Sequence, residues 1–258
     1  MATRRSRNSA PAAWWAERAT LRLVGGARSP SFSPVPVLRA RGVRKVYGEG
    51  RSARVVLDGV DLDVERGELV SVVGRSGSGK STLLHLLGGL DHADEGTVEV
   101  AGRRVTGASE RELSALRRDA IGFVFQFFHL LPELDGEANV LLPARLPGAN
   151  KNTERRGRAL IERLGLSDVA SLAPHQLSGG EQQRFALARA LVGDPLVVLA
   201  DEPIGNLDES AGTVVLDILR AIADDGRAVL MVTHQPEATA RSDRVLRLEA
   251  GRLTRPAP

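Results

Sequence analysis

The sequence predicts an α/β fold, a mostly parallel core sheet carrying a helical insertion. Three observations carry that expectation. Strand-like and helix-like segments alternate from residue 37 onward, a pattern that favours parallel strands joined by helical crossovers. The run Leu69–Val73 is apolar throughout and enters a glycine-rich turn, as suits a strand buried on both faces. Residues 137–192 are mostly helical in pattern and interrupt the alternation. With 258 residues, 42% hydrophobic and 26% charged, the chain can bury a sizeable core and is too apolar for wholesale disorder.

Residues 1–36 read as a separate basic tail, expected to be disordered: Ala, Arg, Ser and Pro dominate and no apolar period persists. Arg4-Arg5 lacks the apolar run that an export signal places after such a pair, since Trp14-Trp15 gives way to Glu17 and Arg18. A basic arm lying on anionic lipid is the alternative. Residues 1–30 hold six arginines against one acid, a net +5, which leaves 29 basic and 31 acidic groups for the rest. The remainder is therefore slightly acidic, and no nucleic-acid partner is expected, because such binders concentrate positive charge on the folded domain. The longest uncharged stretch, residues 120–132, has 13 residues, short of the roughly 18 that a membrane helix needs. There is no cysteine, which excludes disulfides, thiolate zinc sites and cysteine nucleophiles.

Along the folded part, residues 43–46 and 55–64 look like strands, the second with an exposed face. After Leu69–Val73 comes a helix over 82–87, then strands at 98–105 and 121–125 with a helix between them. That helix opens with Ser109-Glu110-Arg111-Glu112, a capping-box pattern. A helical segment near 153–164 sets Leu160, Ile161 and Leu164 on one face. Strands return at 196–200, 228–232 and 244–248, with a helix at about 209–224.

Gly74-Arg75-Ser76-Gly77-Ser78-Gly79-Lys80-Ser81 matches the phosphate-loop pattern, with Thr82 continuing into the helix. The glycines let backbone N–H groups turn onto phosphate oxygens, and the helix N-terminus adds its dipole. Lys80 is read as a point charge on the β- and γ-phosphates, and the Ser81 hydroxyl as a Mg²⁺ ligand. The strand at 196–200 ends in Asp201-Glu202, at the sheet edge where parallel sheets meet their ligands. Asp201 is expected to hold Mg²⁺ and Glu202 to polarise the attacking water as general base. Leu177-Ser178-Gly179-Gly180-Glu181-Gln182 contains a second capping box, Ser178 to Glu181. Its two glycines each cost roughly 1 kcal/mol against alanine in a helix interior. They make sense where something must approach the backbone closely, which points to a second anion site.

Phosphate loop, Leu-Ser-Gly-Gly-Glu-Gln and Asp-Glu strand, in this order, resemble an ABC-type ATPase over about residues 37–255. The resemblance implies a P-loop NTPase (ABC ATPase) fold, with an antiparallel β subdomain beside the parallel sheet. It makes residues 37–258 one ATPase domain with a helical subdomain at about 127–180. It also implies two copies paired head to tail around ATP and Mg²⁺, with Ser178, Gly179, Gly180 and Glu181 of one closing over the phosphate loop of the other. By the same similarity Tyr47 stacks on adenine, Gln126 contacts Mg²⁺ or the attacking water, His234 contacts the γ-phosphate, and Asp208 lies between protomers. Asp208 also reads simply as the N-cap of the 209–224 helix.

Residues 123–132 and 203–208 look most like the lipoprotein-releasing, macrolide-export and cell-division subgroup, whose ATPases serve permeases made as other chains. Two positions depart from it: Ile204 replaces a common threonine, and Ala138 stands where a glutamate usually precedes the asparagine. The resulting expectation is a cytoplasmic subunit, peripheral on the inner face of the plasma membrane, driving an integral membrane permease. Two alternatives are a soluble ABC ATPase of DNA repair or translation and a nonhydrolytic regulator of a membrane enzyme.

Overall fold

The computed structural model describes residues 36–255, so the tail expected at 1–36 lies, but for Pro36, outside the described residues. Two sheets organise the chain. In the first, β1 (Leu38–Tyr47) pairs antiparallel with β2 (Arg54–Val64) on one side and β4 (Glu95–Val100) on the other. A short β5 (Arg103–Arg104) completes the order β2-β1-β4-β5. The second sheet has six strands, in the order β10-β9-β3-β8-β7-β6. Its strands β3 (Leu69–Val73), β6 (Ile121–Val124), β7 (Val197–Asp201), β8 (Ala228–Thr233) and β9 (Arg244–Glu249) run parallel. Only β10 (Arg252–Thr254) is antiparallel, paired with β9.

The parallel strands are buried on both faces, and their alternation decides which core each side chain enters. Val70, Val72, Val197, Leu199, Leu230 and Val232 face the antiparallel sheet and the helix α1 (Lys80–Leu87), whose Leu83, Leu84 and Leu87 complete that core. Leu69, Val198, Ala200, Val229 and Met231 face the other way, onto the helices α5 (Gly179–Leu191) and α6 (Glu209–Asp224) through Phe185, Leu187, Val215 and Leu219. A strand sandwiched between apolar layers leaves its polar business to its ends, and the site is built there.

Several sequence expectations change. The strand at 98–105 is a hairpin: Ala101 and Gly102 both take positive φ, 52° and 73°, and the chain reverses between β4 and β5. The strand-like 43–46 is the end of a ten-residue strand, with Tyr47 its last residue. β2 alternates less regularly than a plain strand, burying Leu57, Val60, Leu62 and Val64, because its pairing with β1 shifts register between Val43 and Lys45. Helix α2 (Glu110–Ala120) carries both capping-box bonds, Glu112 N–H to Ser109 and Ser109 N–H to Glu112.

The block at 137–192 is three helices, α3 (Gly136–Leu141), α4 (Thr153–Arg163) and α5, separated by loops and short 3₁₀ turns. Pro143, Pro147 and Pro174 remove backbone donors, and Gly148 and Gly165 take positive φ, so no longer helix survives. Leu160, Ile161 and Leu164 are buried as the period indicates. The helix at 209–224 falls where expected, with Asp208 as its cap, and the small α7 (Pro236–Thr239) follows β8. No helix among the described residues is long and apolar enough to cross a membrane.

Candidate active site

At the carboxyl end of β3 the chain turns through Gly74–Gly79 and enters α1 at Lys80. Gly79 is the N-cap, at φ 100°, and a Cβ there would meet the Val56 side chain at 2.8 Å, so only glycine fits. No side chain caps this helix, which leaves its first N–H groups to a ligand. Lys80 is folded over the loop, its ammonium donating to the carbonyls of Gly74 at 3.0 Å and Arg75 at 3.2 Å. The Ser78 hydroxyl oxygen is buried without a partner and faces Gly74.

The loop forms one wall of a cleft of about 710 Å³. Ser81 and Thr82 line it from α1, while Gln126, Asp201, Glu202 and His234 line it from the ends of three neighbouring strands. Glu202 takes φ +44°, an unusual conformation for a residue with a side chain, held by its N–H to the Val232 carbonyl and by Gly205 N–H to its own carbonyl. His234 Nδ1 lies 2.8 Å from Glu202 Oε1, while Oε2 is buried and has no partner. The carboxylate is thus steered by one oxygen, and its other is left without a partner. The Gln126 carbonyl accepts from Asn206 Nδ2 at 2.9 Å, which ties the end of β6 to the loop after β7.

Burial pushes the Asp201 carboxyl above its usual range, and a hydrogen bond with the Ser81 hydroxyl offsets this only in part. Folded Asp201 holds its proton more tightly than the unfolded chain does. Its contribution to stability is therefore present below the ordinary carboxylate range and is lost as pH rises through the raised value. At neutral pH the ionised group is a net cost that a bound cation would relieve. Asp201→Asn keeps an acceptor for Ser81 and removes the charge. It is expected to melt a few degrees higher than the native chain at pH 7 without nucleotide, while losing Mg²⁺-dependent turnover. A lower melting temperature would overturn this account of Asp201.

Among the described residues there is no group of three or more His, Cys, Asp or Glu that could hold a metal ion. Beside Glu202, the cleft offers the half-buried Asp201 carboxylate, the Ser81 hydroxyl and the Gln126 amide, all hard oxygen donors. Such a sparse set fits Mg²⁺, which keeps its waters and shares substrate phosphates.

Tyr47 lies beside the cleft and is not among the residues lining it. Its hydroxyl donates to Asp91 Oδ2 at 2.7 Å, and Lys45 Nζ stands 5.0 Å from its ring centroid while bonding Asp91 Oδ1 at 2.8 Å. Tyr47 pairs across the register with Arg54, which does line the cleft, so the two side chains share a sheet face. Arg54 and Val56 were not legible as site residues, because an arginine and a valine near the start of an exposed strand carry no chemical signal. Only the register with Tyr47 implicates them.

Ser178, Gly179, Gly180, Glu181 and Asp208 stand apart from this cleft. The Ser178 hydroxyl accepts from Glu181 N–H at 3.3 Å, and the Glu181 carboxylate accepts from Ser178 N–H at 2.8 Å. At Gly180 the close approach comes from within: a Cβ would meet that of Ala211 on α6 at 2.9 Å. Gly179 has only ordinary contacts around it, with Leu207 at 3.4 Å as the nearest. Packing thus accounts for one of the two glycines. Asp208 Oδ1 accepts from Ala211 N–H at 2.8 Å and caps α6.

A buried lysine over a glycine loop, sharing a cleft with two acids at the end of β7, marks the phosphate-loop class of nucleotide hydrolases. The family described as "ABC transporter" matches residues 57–205, and the chain belongs to that family. It is 50% identical over 220 residues to the lipoprotein-releasing system ATP-binding protein LolD of Bordetella pertussis, covering 84% of this chain and 95% of that one. It is 48% identical over 219 residues to the macrolide export ATP-binding/permease protein MacB of Paracoccus denitrificans. The chain spans about a third (33%) of that longer relative's length. Among solved structures, the dimeric post-hydrolysis state of the ATP-binding cassette MJ0796, bound to ADP and Pi, superposes with a TM-score of 0.75 at 39% identity. That match covers 84% of this chain and 97% of the other.

Proposed function

We propose that two copies of this chain pair head to tail around two Mg·ATP, and that their cycle of closing and opening drives a membrane permease carried on another chain. The observation that carries this reading is the separation of the two phosphate-directed motifs within one chain. The cleft is lined by residues 74–77 and 79–82 and the strand-end acids, while the Ser178 end of α5 lies off it. A second copy supplies the missing wall. The dimeric cassette of similar fold supports such pairing. The likeness to LolD and MacB supports a permease partner and a lipoprotein-handling or exporter system at the inner face of the membrane. Ala138 lines a smaller cleft of about 260 Å³ on the insertion, together with Glu137 and Arg158. That is the surface assigned to the permease.

In the chemistry, the loop N–H groups and Lys80 hold the β- and γ-phosphates, and Ser81, Gln126 and Asp201 would hold Mg²⁺. The ion supplies charge neutralisation on the phosphate oxygens. Glu202 takes the proton of the attacking water on Oε2, the oxygen left without a partner in the protein. His234 fixes Oε1 and turns its other ring nitrogen toward the phosphate. As water adds to the γ-phosphorus, the bond to the bridging oxygen breaks and ADP leaves.

If each site needs two chains, specific ATPase activity should rise with protein concentration and level off once the dimer is saturated. A preparation held strictly monomeric that hydrolyses ATP at the full rate overturns the pairing.

A further inference from the structure

One side chain joins α5 to two of the three strand ends that line the cleft. Gln183, in the second turn of that helix, has no solvent exposure. Its Nε2 donates to the carbonyl of Pro203 at 2.5 Å and to that of Phe125 at 3.4 Å. Pro203 follows Glu202, and Phe125 precedes Gln126. Because both neighbours are carbonyls, the amide nitrogen has to face them, and Oε1 is left buried without a partner. An orphaned acceptor is a cost that a methionine or leucine at this place would avoid. What the amide provides in return is the pair of bonds at its nitrogen.

Glu202 supplies an independent observation. Its φ of +44° is a conformation that a residue with a side chain keeps only where its surroundings over-determine it. The bond from Gln183 to the next carbonyl is one of those restraints.

We infer that Gln183 is a positioning residue for ATP hydrolysis: it sets the spacing of Gln126 and Glu202 and ties both to the helix that begins at Ser178. This rests on the reading of Gln126 and Glu202 as the groups around the attacked phosphate. α5 has the signature serine at its tip and Gln183 in its second turn, bonded to the carbonyls beside the cleft residues Gln126 and Glu202. A shift at the tip, where the partner's nucleotide would press, is passed by this one amide to both strand ends.

Gln183→Met fills the same space without the donor, and Gln183→Asn keeps an amide one methylene too short. Both are expected to lower kcat about tenfold while the KM for ATP stays within about twofold, because small misplacements of reacting groups act on the chemical step. Turnover is normalised to sites that bind a fluorescent ATP analogue, so a merely structural role would lower the melting temperature and leave kcat per site unchanged. Combined with Gln126→Ala, the loss should be smaller than the product of the single losses, since both changes act on one group. Unchanged kcat per site in both variants, independent multiplication of the two losses, or failure of both variants to fold would each overturn the inference. Glu202→Gln is the control: full turnover there refutes the underlying reading, whereas loss there with normal Gln183 variants refutes only the role of Gln183.

Discussion

Glu202→Gln is expected to bind ATP as the native chain does and to hydrolyse it about 10²–10⁴-fold more slowly, the range that a positioned general base contributes. The substitution is nearly isosteric. It keeps an oxygen for His234 Nδ1, which stands 2.8 Å from Oε1, so the turn at φ +44° should hold. What it removes is the proton-accepting power of Oε2, the buried oxygen that has no partner in the protein. With binding intact and turnover lost, ATP stays between the two copies and the dimer should persist through size-exclusion chromatography. Rapid-quench hydrolysis and the elution volume test the two halves separately. Undiminished hydrolysis would refute Glu202 as the base, and lost turnover without a trapped dimer would refute ATP as the adhesive between copies.

Lys80→Ala is expected to weaken ATP binding by about 10²-fold, since charge-assisted hydrogen bonds contribute roughly 1.5–3 kcal/mol and 1.4 kcal/mol is a factor of ten. The side chain is buried and bridges the carbonyls of Gly74 and Arg75, at 3.0 and 3.2 Å. Its loss removes a charge from the phosphates and a brace from the loop together. Titration with a fluorescent ATP analogue measures the first effect, and the melting temperature without nucleotide measures the second. Near-native affinity would mean that backbone N–H groups and the α1 dipole hold the nucleotide by themselves.

The parts of the site legible from the sequence are those whose chemistry is written in adjacent residues. Strand, glycine turn and helix follow one another within Leu69–Leu87, so the phosphate loop and its cap at Gly79 are local events. The capping boxes at Ser109 and Ser178 are local in the same sense, as is the Asp208 cap. The 101–102 turn was missed because an Ala-Gly pair between two valine-containing stretches looks continuous by hydrophobicity. Its reversal depends on positive φ at a residue that carries a Cβ. Within the insertion the sequence marks the helix at 153–163 but not the breaks on either side of it. Apolar periodicity persists across Pro143, Gly165 and Pro174, whereas backbone hydrogen bonding does not.

Taken alone, the order of residues determined the phosphate loop, the strand-end acids, the signature helix and the family, because each is a short run whose geometry follows from its own glycines, caps and apolar neighbours. Tertiary structure alone decided the partners. Tyr47 is held by Asp91, 44 positions away; Gln183 reaches Phe125 and Pro203, 58 and 20 positions away; and Arg54 joins the cleft through its pairing with Tyr47. The physical reason is that such contacts are set by strand order and register, which the whole core fixes at once. No local preference encodes which distant carbonyl an amide will find.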